Sequence, residues 1–206
     1  MHRLQIFLLT IMAFANHSYA TNATENILVF GDSLSAGYGI KVEQGWVTLL
    51  QKQLSEDRRW RFVNASVSGE TSTGGLTRLP ALLGEHKPKI VILELGANDG
   101  LRGQPLTLLQ KNLQAMIDAS KTAGAKVLLV GMQIPTNYGP RYTREFRETY
   151  SELAEKNNLP LVPFLLEGVA TNGNLFQNDG LHPNAEAQAI IARNVSAMLM
   201  TMLSEK

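Results

Sequence analysis

The 206-residue sequence contains no cysteine. Thiol nucleophiles, thiolate zinc sites, disulfide frameworks and iron-sulfur clusters are therefore excluded. Proline is scarce, with 8 residues, and the hydrophobic fraction of 44% is ordinary, which excludes collagen-like and low-complexity chains. The length predicts one globular domain, and any covalent catalysis must use a nucleophile other than cysteine.

The N-terminal segment lacks acidic side chains and has the layout of a secretory signal peptide. Arg3 precedes an apolar stretch over residues 4–15, and small residues at Ser18 and Ala20 suit signal peptidase. The stretch is shorter than the roughly 20 residues that span a bilayer, although an uncleaved anchor is the alternative. We predict that residues 1–20 are removed and that residues 21–206 form a single domain, periplasmic or secreted, without stable membrane insertion.

The predicted mature chain lacks an excess of charge of either sign. Arg3 is the one charged side chain in the leader, so its removal reduces the 19 basic side chains to 18, against 18 acidic ones. Nucleic acids and anionic membranes attract clustered positive charge, and the one basic cluster, Arg58, Arg59 and Arg61, is explained by a solvated loop. We therefore expect no nucleic-acid partner. A small-molecule substrate and a monomer are further expectations.

Short apolar runs alternate with longer stretches of helical period. Two of the runs, residues 90–95 and 127–130, are almost continuously apolar, which is typical of strands covered on both faces. The pattern predicts an α/β fold, a three-layer α/β/α sandwich around a parallel five-stranded sheet, with ligands beyond the carboxyl ends of the strands. Strands are predicted at residues 27–30, 60–63, 90–95, 127–130 and 161–162, and helices at 45–54, 75–83, 105–123, 141–156 and from Pro183 to the C-terminus.

Ser33 follows the first predicted strand, in Gly31-Asp32-Ser33. A small neighbouring residue lets a nucleophilic hydroxyl group stand clear of the backbone, so Ser33 is a candidate nucleophile. The segment differs from the G-x-S-x-G elbow, because Ser35 takes the place of the second glycine. A serine that caps a helix is the alternative.

Two further segments follow the second and third predicted strands. Gly69 permits a close approach of its backbone N–H to a ligand, or a turn with positive φ. Asn98, in Gly96-Ala97-Asn98, is able to donate a hydrogen bond to a developing oxyanion or to form an Asx-turn. Neither segment decides the chemistry alone.

Asp179 and His182 precede the last predicted helix. An aspartate three residues before a histidine can accept from one ring nitrogen and leave the other free to take a proton from a hydroxyl group. Helix capping and metal ligation are the alternatives. No second cluster at ligand spacing accompanies the pair, so we expect no metal and no cofactor. His86 lies before the amino end of a predicted strand, and we expect it on the surface, opposite the crevice.

Taken together and in this order, the four segments resemble the SGNH (GDSL) hydrolase family. The resemblance extends over nearly all of the chain past the leader. It implies a flavodoxin-like fold, a catalytic triad of Ser33, Asp179 and His182, and an oxyanion hole formed by the Ser33 and Gly69 N–H groups and the Asn98 side chain. No cofactor is implied.

Longer strings, such as Gly31 to Tyr38 and Gly96 to Gly103, resemble a bacterial periplasmic branch with acyl-CoA thioesterase, lysophospholipase and arylesterase activities. The resemblance implies a serine esterase for fatty-acyl esters and thioesters, lysophospholipids included. We predict an acyl groove lined by Leu101, Ile134, Pro135 and Tyr138, although local packing would also explain these residues. A carbohydrate O-acetylesterase and a non-catalytic secreted binding protein are the alternative functions.

Overall fold

The structure of the protein, a computed structural model, describes residues 24–54 and 59–204. The predicted leader at residues 1–20 lies outside these ranges, so its cleavage stays a prediction. Among the helices within these ranges, none is long and apolar enough to cross a membrane.

Five strands form one sheet in which every neighbouring pair is parallel. The strands are β1 (Glu25–Gly31), β2 (Trp60–Asn64), β3 (Ile90–Glu94), β4 (Lys126–Val130) and β5 (Leu161–Val162). Their order in the sheet is β2-β1-β3-β4-β5, the flavodoxin-like order. All residues of β3 are buried, and β4 exposes its first residue alone, which explains their continuous apolar runs. The predicted fold class is confirmed.

Helices cover both faces of the sheet and complete the three layers. The helices are α1 (Ser33–Ala36), α2 (Trp46–Gln53), α3 (Ser72–His86), α4 (Ala97–Leu101), α5 (Leu106–Thr122), α6 (Pro140–Asn157) and α7 (Gln188–Ser204). Helix α3 packs against α5 and α5 against α6, while α2 packs against α7. The connections through α3, α5 and α6 all run towards β5, whereas the connection through α2 runs the other way, from β1 to β2. Because such crossovers are right-handed, the first three helices lie on one face of the sheet and α2 lies on the other.

The hydrophobic core lies on both sides of β1, β3 and β4. Helix α7 buries Ile191, Val195 and Leu199, which are four residues apart and so share one face. On the opposite side of the sheet, Leu113 of α5 and Phe146 of α6 are fully buried. The sheet is therefore rigidly held, and the segments after its strands start from fixed positions.

The last helix begins later than the sequence predicts. Pro183 does not open α7, because it pairs with Phe176 in an isolated antiparallel bridge, and the helix starts at Gln188. Pro105 directly precedes α5 rather than lying in its first turn. The short helices α1 and α4 were not predicted, because four or five residues are too few to show a helical period.

Candidate active site

The candidate nucleophile is the first residue of α1, directly after β1. Asp32 is the N-cap, and its carboxylate accepts a hydrogen bond from the Leu34 N–H at 3.0 Å. The capping role that we considered for Ser33 is thus filled by its neighbour. Ser33 presents its hydroxyl group and its N–H at the helix start, where backbone N–H groups lack intrahelical acceptors.

The structure brings Ser33, His182 and Asp179 into one chain of hydrogen bonds. The Ser33 Oγ lies 2.9 Å from the His182 Nε2, and the His182 Nδ1 lies 2.7 Å from the Asp179 Oδ2. The other Asp179 oxygen accepts from the backbone N–H groups of Leu181 and His182, each at 2.9 Å. The pKa of Asp179 is lowered to about 2, mainly by the hydrogen bond from the His182 N–H and then by those from the His182 side chain and the Leu181 N–H. An ionised Asp179 fits the role of orienting the ring.

Gly69 and Asn98 lie beside Ser33, as the sequence predicts. Gly69 has a φ of 79°, which glycine adopts without strain, and no atom lies within 4 Å of the position a Cβ would take. The Asn98 amide donates to the Asp32 Oδ2 at 3.1 Å and to the Glu70 carbonyl at 3.0 Å. These two bonds fix the direction of the amide, so Asn98 is held rather than free to rotate.

A pair of carboxyl groups lies buried beneath Ser33. Asp32 and Glu94 are both fully buried. One Glu94 oxygen accepts from the Ser35 hydroxyl group at 2.5 Å and from the Asp32 N–H at 3.3 Å, and the other has no partner among the described residues. Burial is the main cause that raises the pKa of Asp32 to about 6 and that of Glu94 well above its ordinary value.

The segment with Gly69 and the segment with Asn98 are tied together by Asp99. This buried carboxylate accepts from the Ser72 N–H at 2.8 Å and the Ser72 hydroxyl group at 2.5 Å, at the start of α3. A carboxylate at a helix N-terminus is favoured by the helix dipole. Asn112 of α5 donates to the same hydroxyl group at 3.0 Å, which extends the network into the helical layer.

A cavity of about 890 Å³ is lined by Ser33 and His182. Leu101, Ile134 and Pro135 line it, as the groove hypothesis requires. Tyr138, which we predicted in the groove, is not part of the wall; its hydroxyl group donates to the Leu101 carbonyl at 2.7 Å. Further apolar side chains along the cavity include Leu34, Met132, Phe164, Leu166, Phe176 and Leu181.

Sequence reasoning missed two parts of this site. Phe164 and Leu166 directly follow β5, so reading the fifth post-strand segment as we read the first three would have found them. Glu94 was read as part of an apolar strand. Its isolated charge in that run was the available signal, because a lone carboxyl group among buried residues is unusual.

His86 lies away from the cavity. It ends α3 near the amino end of β3, opposite the crevice as we expected, and its side chain is 21% exposed. Within residues 24–54 and 59–204, no group of three or more histidine or carboxylate side chains is arranged to hold a metal ion.

Comparison with known proteins agrees with this geometry. The GDSL-like Lipase/Acylhydrolase family matches residues 29–190. The chain is 50% identical over 182 residues to "Esterase TesA" of Pseudomonas aeruginosa, covering 88% of this chain and 90% of that protein. It is 45% identical over 199 residues to "Arylesterase" of Vibrio mimicus, covering 96% of this chain and 100% of the relative.

Two further similarities come from a third relative and a solved structure. "Thioesterase 1/protease 1/lysophospholipase L1" of Escherichia coli K12 is 40% identical over 187 residues, which are 91% of this chain and 89% of that protein. The crystal structure of the esterase EstA from Pseudoalteromonas sp., inhibited by monoethylphosphonate, superposes with a TM-score of 0.83 at 43% identity, covering 88% of this chain and 100% of that one. The strand order, the four segments at the sheet edge and these similarities agree, and the chain belongs to the GDSL-like lipase/acylhydrolase family.

Proposed function

We propose that this protein is a serine hydrolase that cleaves carboxylic esters and thioesters of fatty-acyl chains through an acyl-enzyme. The observation that carries the proposal is the hydrogen-bond chain from Asp179 through His182 to Ser33, which ends at the wall of an apolar cavity. Nucleophile, base and orienting carboxylate are within hydrogen-bond distance of one another, which is the geometry that such chemistry requires.

In the acylation step, the Ser33 Oγ attacks the carbonyl carbon of the substrate while the His182 Nε2 takes the hydroxyl proton. Asp179 accepts from the Nδ1–H and stabilises the imidazolium. As the tetrahedral intermediate collapses, the C–O or C–S bond breaks, and His182 returns the proton to the leaving alcohol or thiol. A water molecule then repeats the sequence on the acyl-Ser33 ester and releases the fatty acid.

The negative charge on the carbonyl oxygen is stabilised by the N–H groups of Ser33 and Gly69 and by the Asn98 amide. The Gly69 N–H has no acceptor within the described part of the chain, so it is available to the oxyanion. Asn98 already donates to Asp32 and Glu70, and the oxyanion therefore shares one of its N–H groups. Donors fixed before the reaction lower the barrier because they need no reorganisation.

The cavity supports a fatty-acyl substrate over an acetylated sugar. A volume of about 890 Å³ is far larger than an acetyl group needs, and an apolar wall favours an acyl chain by removing it from water. The names of the relatives, an esterase, an arylesterase and a thioesterase/lysophospholipase, agree with acyl substrates. Fatty-acyl thioesters, aryl esters and lysophospholipids are the proposed substrate classes.

Initial rates on p-nitrophenyl esters from two to sixteen carbons test this proposal, with Ser33→Ala as the matched variant. We expect activity that rises with medium or long chains and falls at least about 10⁴-fold in the variant. Activity confined to the acetate would favour the carbohydrate O-acetylesterase, and no activity on any ester would favour the binding protein. Fatty-acyl-CoA and lysophosphatidylcholine are then assayed to separate the thioesterase and lysophospholipase activities.

We further propose that the protein is exported to the periplasm or secreted, and that the mature form is a monomer that needs no cofactor. Mass spectrometry of the exported protein is expected to give Thr21 as its first residue, and light scattering is expected to give the mass of one chain. Retention of residues 1–20 on a membrane-bound protein would contradict cleavage. Unchanged rates after treatment with a chelator are expected, and a loss that zinc restores would revive the metal hypothesis.

A further inference from the structure

Tyr38 packs directly on the ring of His182. The centroids of the two rings are 4.5 Å apart, and the ring planes are inclined by 40°. Tyr38 is nevertheless 53% exposed, which is unusual for an aromatic side chain without a partner surface. The Tyr38 ring thus contacts the imidazole and is itself partly exposed to solvent.

The backbone around Tyr38 is tied to both halves of the site. The Tyr38 N–H donates to the Ser33 carbonyl at 3.1 Å, and the Tyr38 carbonyl accepts from the Gln177 Nε2 at 2.7 Å. The same Gln177 amide donates to the Pro183 carbonyl at 3.1 Å, next to His182. Gly39 leaves room for the Gln177 side chain, because a Cβ there would collide with its amide oxygen. The ring is therefore positioned relative to Ser33 and His182 at once.

Tyr38 also borders two cavities. It lines the acyl cavity beside Ser33 and a second cavity of about 780 Å³, which Gln177, Asn178 and Asp179 also line. The side chain of His182 is 15% exposed, whereas that of Asp179 is 41% exposed. The ring is thus placed to cover the imidazole rather than the carboxylate.

We propose that Tyr38 is a positioning residue for His182, which holds the imidazole toward Ser33 and stabilises the imidazolium that forms when Ser33 gives up its proton. The inference rests on the proposed function, because it assigns a role within the same reaction. A cation within about 6 Å of an aromatic centroid is attracted by the ring quadrupole, and the observed separation is within that range. The ring is neutral, so it acts on the protonated form of the base without adding a charge.

Two aspartates lie near His182 or its partner Ser33. Asp179 faces the His182 Nδ1, and Asp32 is buried next to Ser33, whose hydroxyl group faces the Nε2. Glu167 lines the same cavity. Replacing Tyr38 leaves all of these carboxyl groups in place, so a change in the pH dependence would report the loss of the ring.

The decisive variant is Tyr38→Leu, which keeps an apolar side chain but removes the aromatic ring. We expect kcat on a medium-chain p-nitrophenyl ester to fall about two- to fivefold, with KM changed less. We also expect the acidic limb of the kcat/KM profile to move down by about half a pH unit, because the protonated base loses a stabilising contact. Tyr38→Phe retains the ring and is expected to restore both quantities.

A control and two outcomes complete the test. Val42→Ala removes another exposed apolar side chain, 73% exposed, and is expected to leave rate and profile unchanged. A Tyr38→Leu enzyme with wild-type kcat and an unmoved acidic limb would overturn the inference, as would a lower kcat with an unmoved limb, which indicates packing alone. If the wild-type protein hydrolyses no ester, the proposed function has failed instead, and the two failures are therefore distinguishable.

Discussion

An exposed carboxyl group, Asp179, and a buried pair, Asp32 and Glu94, flank Ser33. Their surroundings shift their pKa values in opposite directions. Asp179 is 41% exposed and accepts three hydrogen bonds from its own loop, which lower its pKa to about 2. Asp32 and Glu94 are fully buried, and burial raises the pKa of each. Residues 24–54 and 59–204 provide no Lys or Arg side chain that pairs with either buried group.

The difference shows how one fold assigns different protonation states around a single serine. The exposed carboxylate remains charged over the working pH range because N–H donors stabilise the anion. The buried pair avoids two adjacent charges by keeping a proton, since isolated charge is costly in an apolar interior. In the proposed mechanism, Asp179 orients the base. Asp32 and Glu94 instead accept hydrogen bonds from the backbone on either side of Ser33, and Asp32 also accepts from the amide of Asn98.

Replacing Asp179, the exposed carboxylate, is expected to give the largest effect. Asp179→Asn removes the anion that stabilises the imidazolium, and the amide presents a donor toward the ring. We expect kcat to fall by about 10⁴-fold while the folded structure is retained. Steady-state kinetics on a p-nitrophenyl ester measure the loss, with Asn178→Asp as a neighbouring control; a fall of less than tenfold would remove Asp179 from the triad.

Asn98→Ala is expected to give the next largest effect, because Asn98 is both a proposed oxyanion donor and a hydrogen-bond partner of the buried Asp32. It removes one oxyanion donor, so we expect a loss of about 10²–10³-fold in kcat. It also deprives the buried Asp32 of a hydrogen bond. Circular dichroism checks that the variant is folded, and full activity of a folded variant would contradict the oxyanion role.

Changes to the buried pair are expected to act on stability more than on rate. Glu94→Gln mimics the protonated side chain, so we expect kcat within about threefold of wild type, whereas Glu94→Ala is expected to cost about 1–3 kcal/mol of unfolding free energy by leaving Ser35 without its partner. Denaturant unfolding measures the cost. A Glu94→Gln protein as unstable as Glu94→Ala would show that Glu94 is ionised in the native state.

The buried pair and the exposed Asp179 are expected to give opposite pH dependences of the free energy of unfolding. A raised pKa means that the folded state binds more protons, so the pair's contribution is present at low pH and is lost as pH rises from about 4 towards about 6 and above. A lowered pKa acts in the opposite sense, and the contribution of Asp179 is lost as pH falls from about 4 to about 2. Glu94→Gln should flatten the first slope and Asp179→Asn the second, as measured by denaturant unfolding at a series of pH values.

The sequence predicts the site where chemistry follows a strand end directly. Ser33, Gly69 and Asn98 lie at the carboxyl ends of three neighbouring parallel strands, so periodicity and short motifs were enough to place them together. Asp179 and His182 were predicted as a pair because His182 comes three residues after Asp179, within one turn. Their meeting with Ser33, 149 residues away from His182, required the fold.

Other parts of the site depend on register and loop packing, which a single sequence does not show. Glu94 lies beneath Ser33 because β1 and β3 pair Gly31 with Glu94, and a Cβ at Gly31 would collide with the Glu94 carboxyl group. Tyr138 was predicted in the groove wall, yet its hydroxyl group bonds the Leu101 carbonyl instead. The delayed start of α7 has the same cause, because the bridge between Phe176 and Pro183 is a tertiary contact.

Covalent labelling tests whether Ser33 is a nucleophile that His182 activates. The protein is treated with a fluorophosphonate, and the adduct is located by mass spectrometry of peptides, with Ser33→Ala and His182→Gln treated in parallel. We predict one adduct on Ser33, none in Ser33→Ala, and labelling slowed by at least about 10³-fold in His182→Gln, because the base is lost. An adduct on another residue, or equal labelling of wild type and His182→Gln, would contradict the assignment of Ser33 and His182.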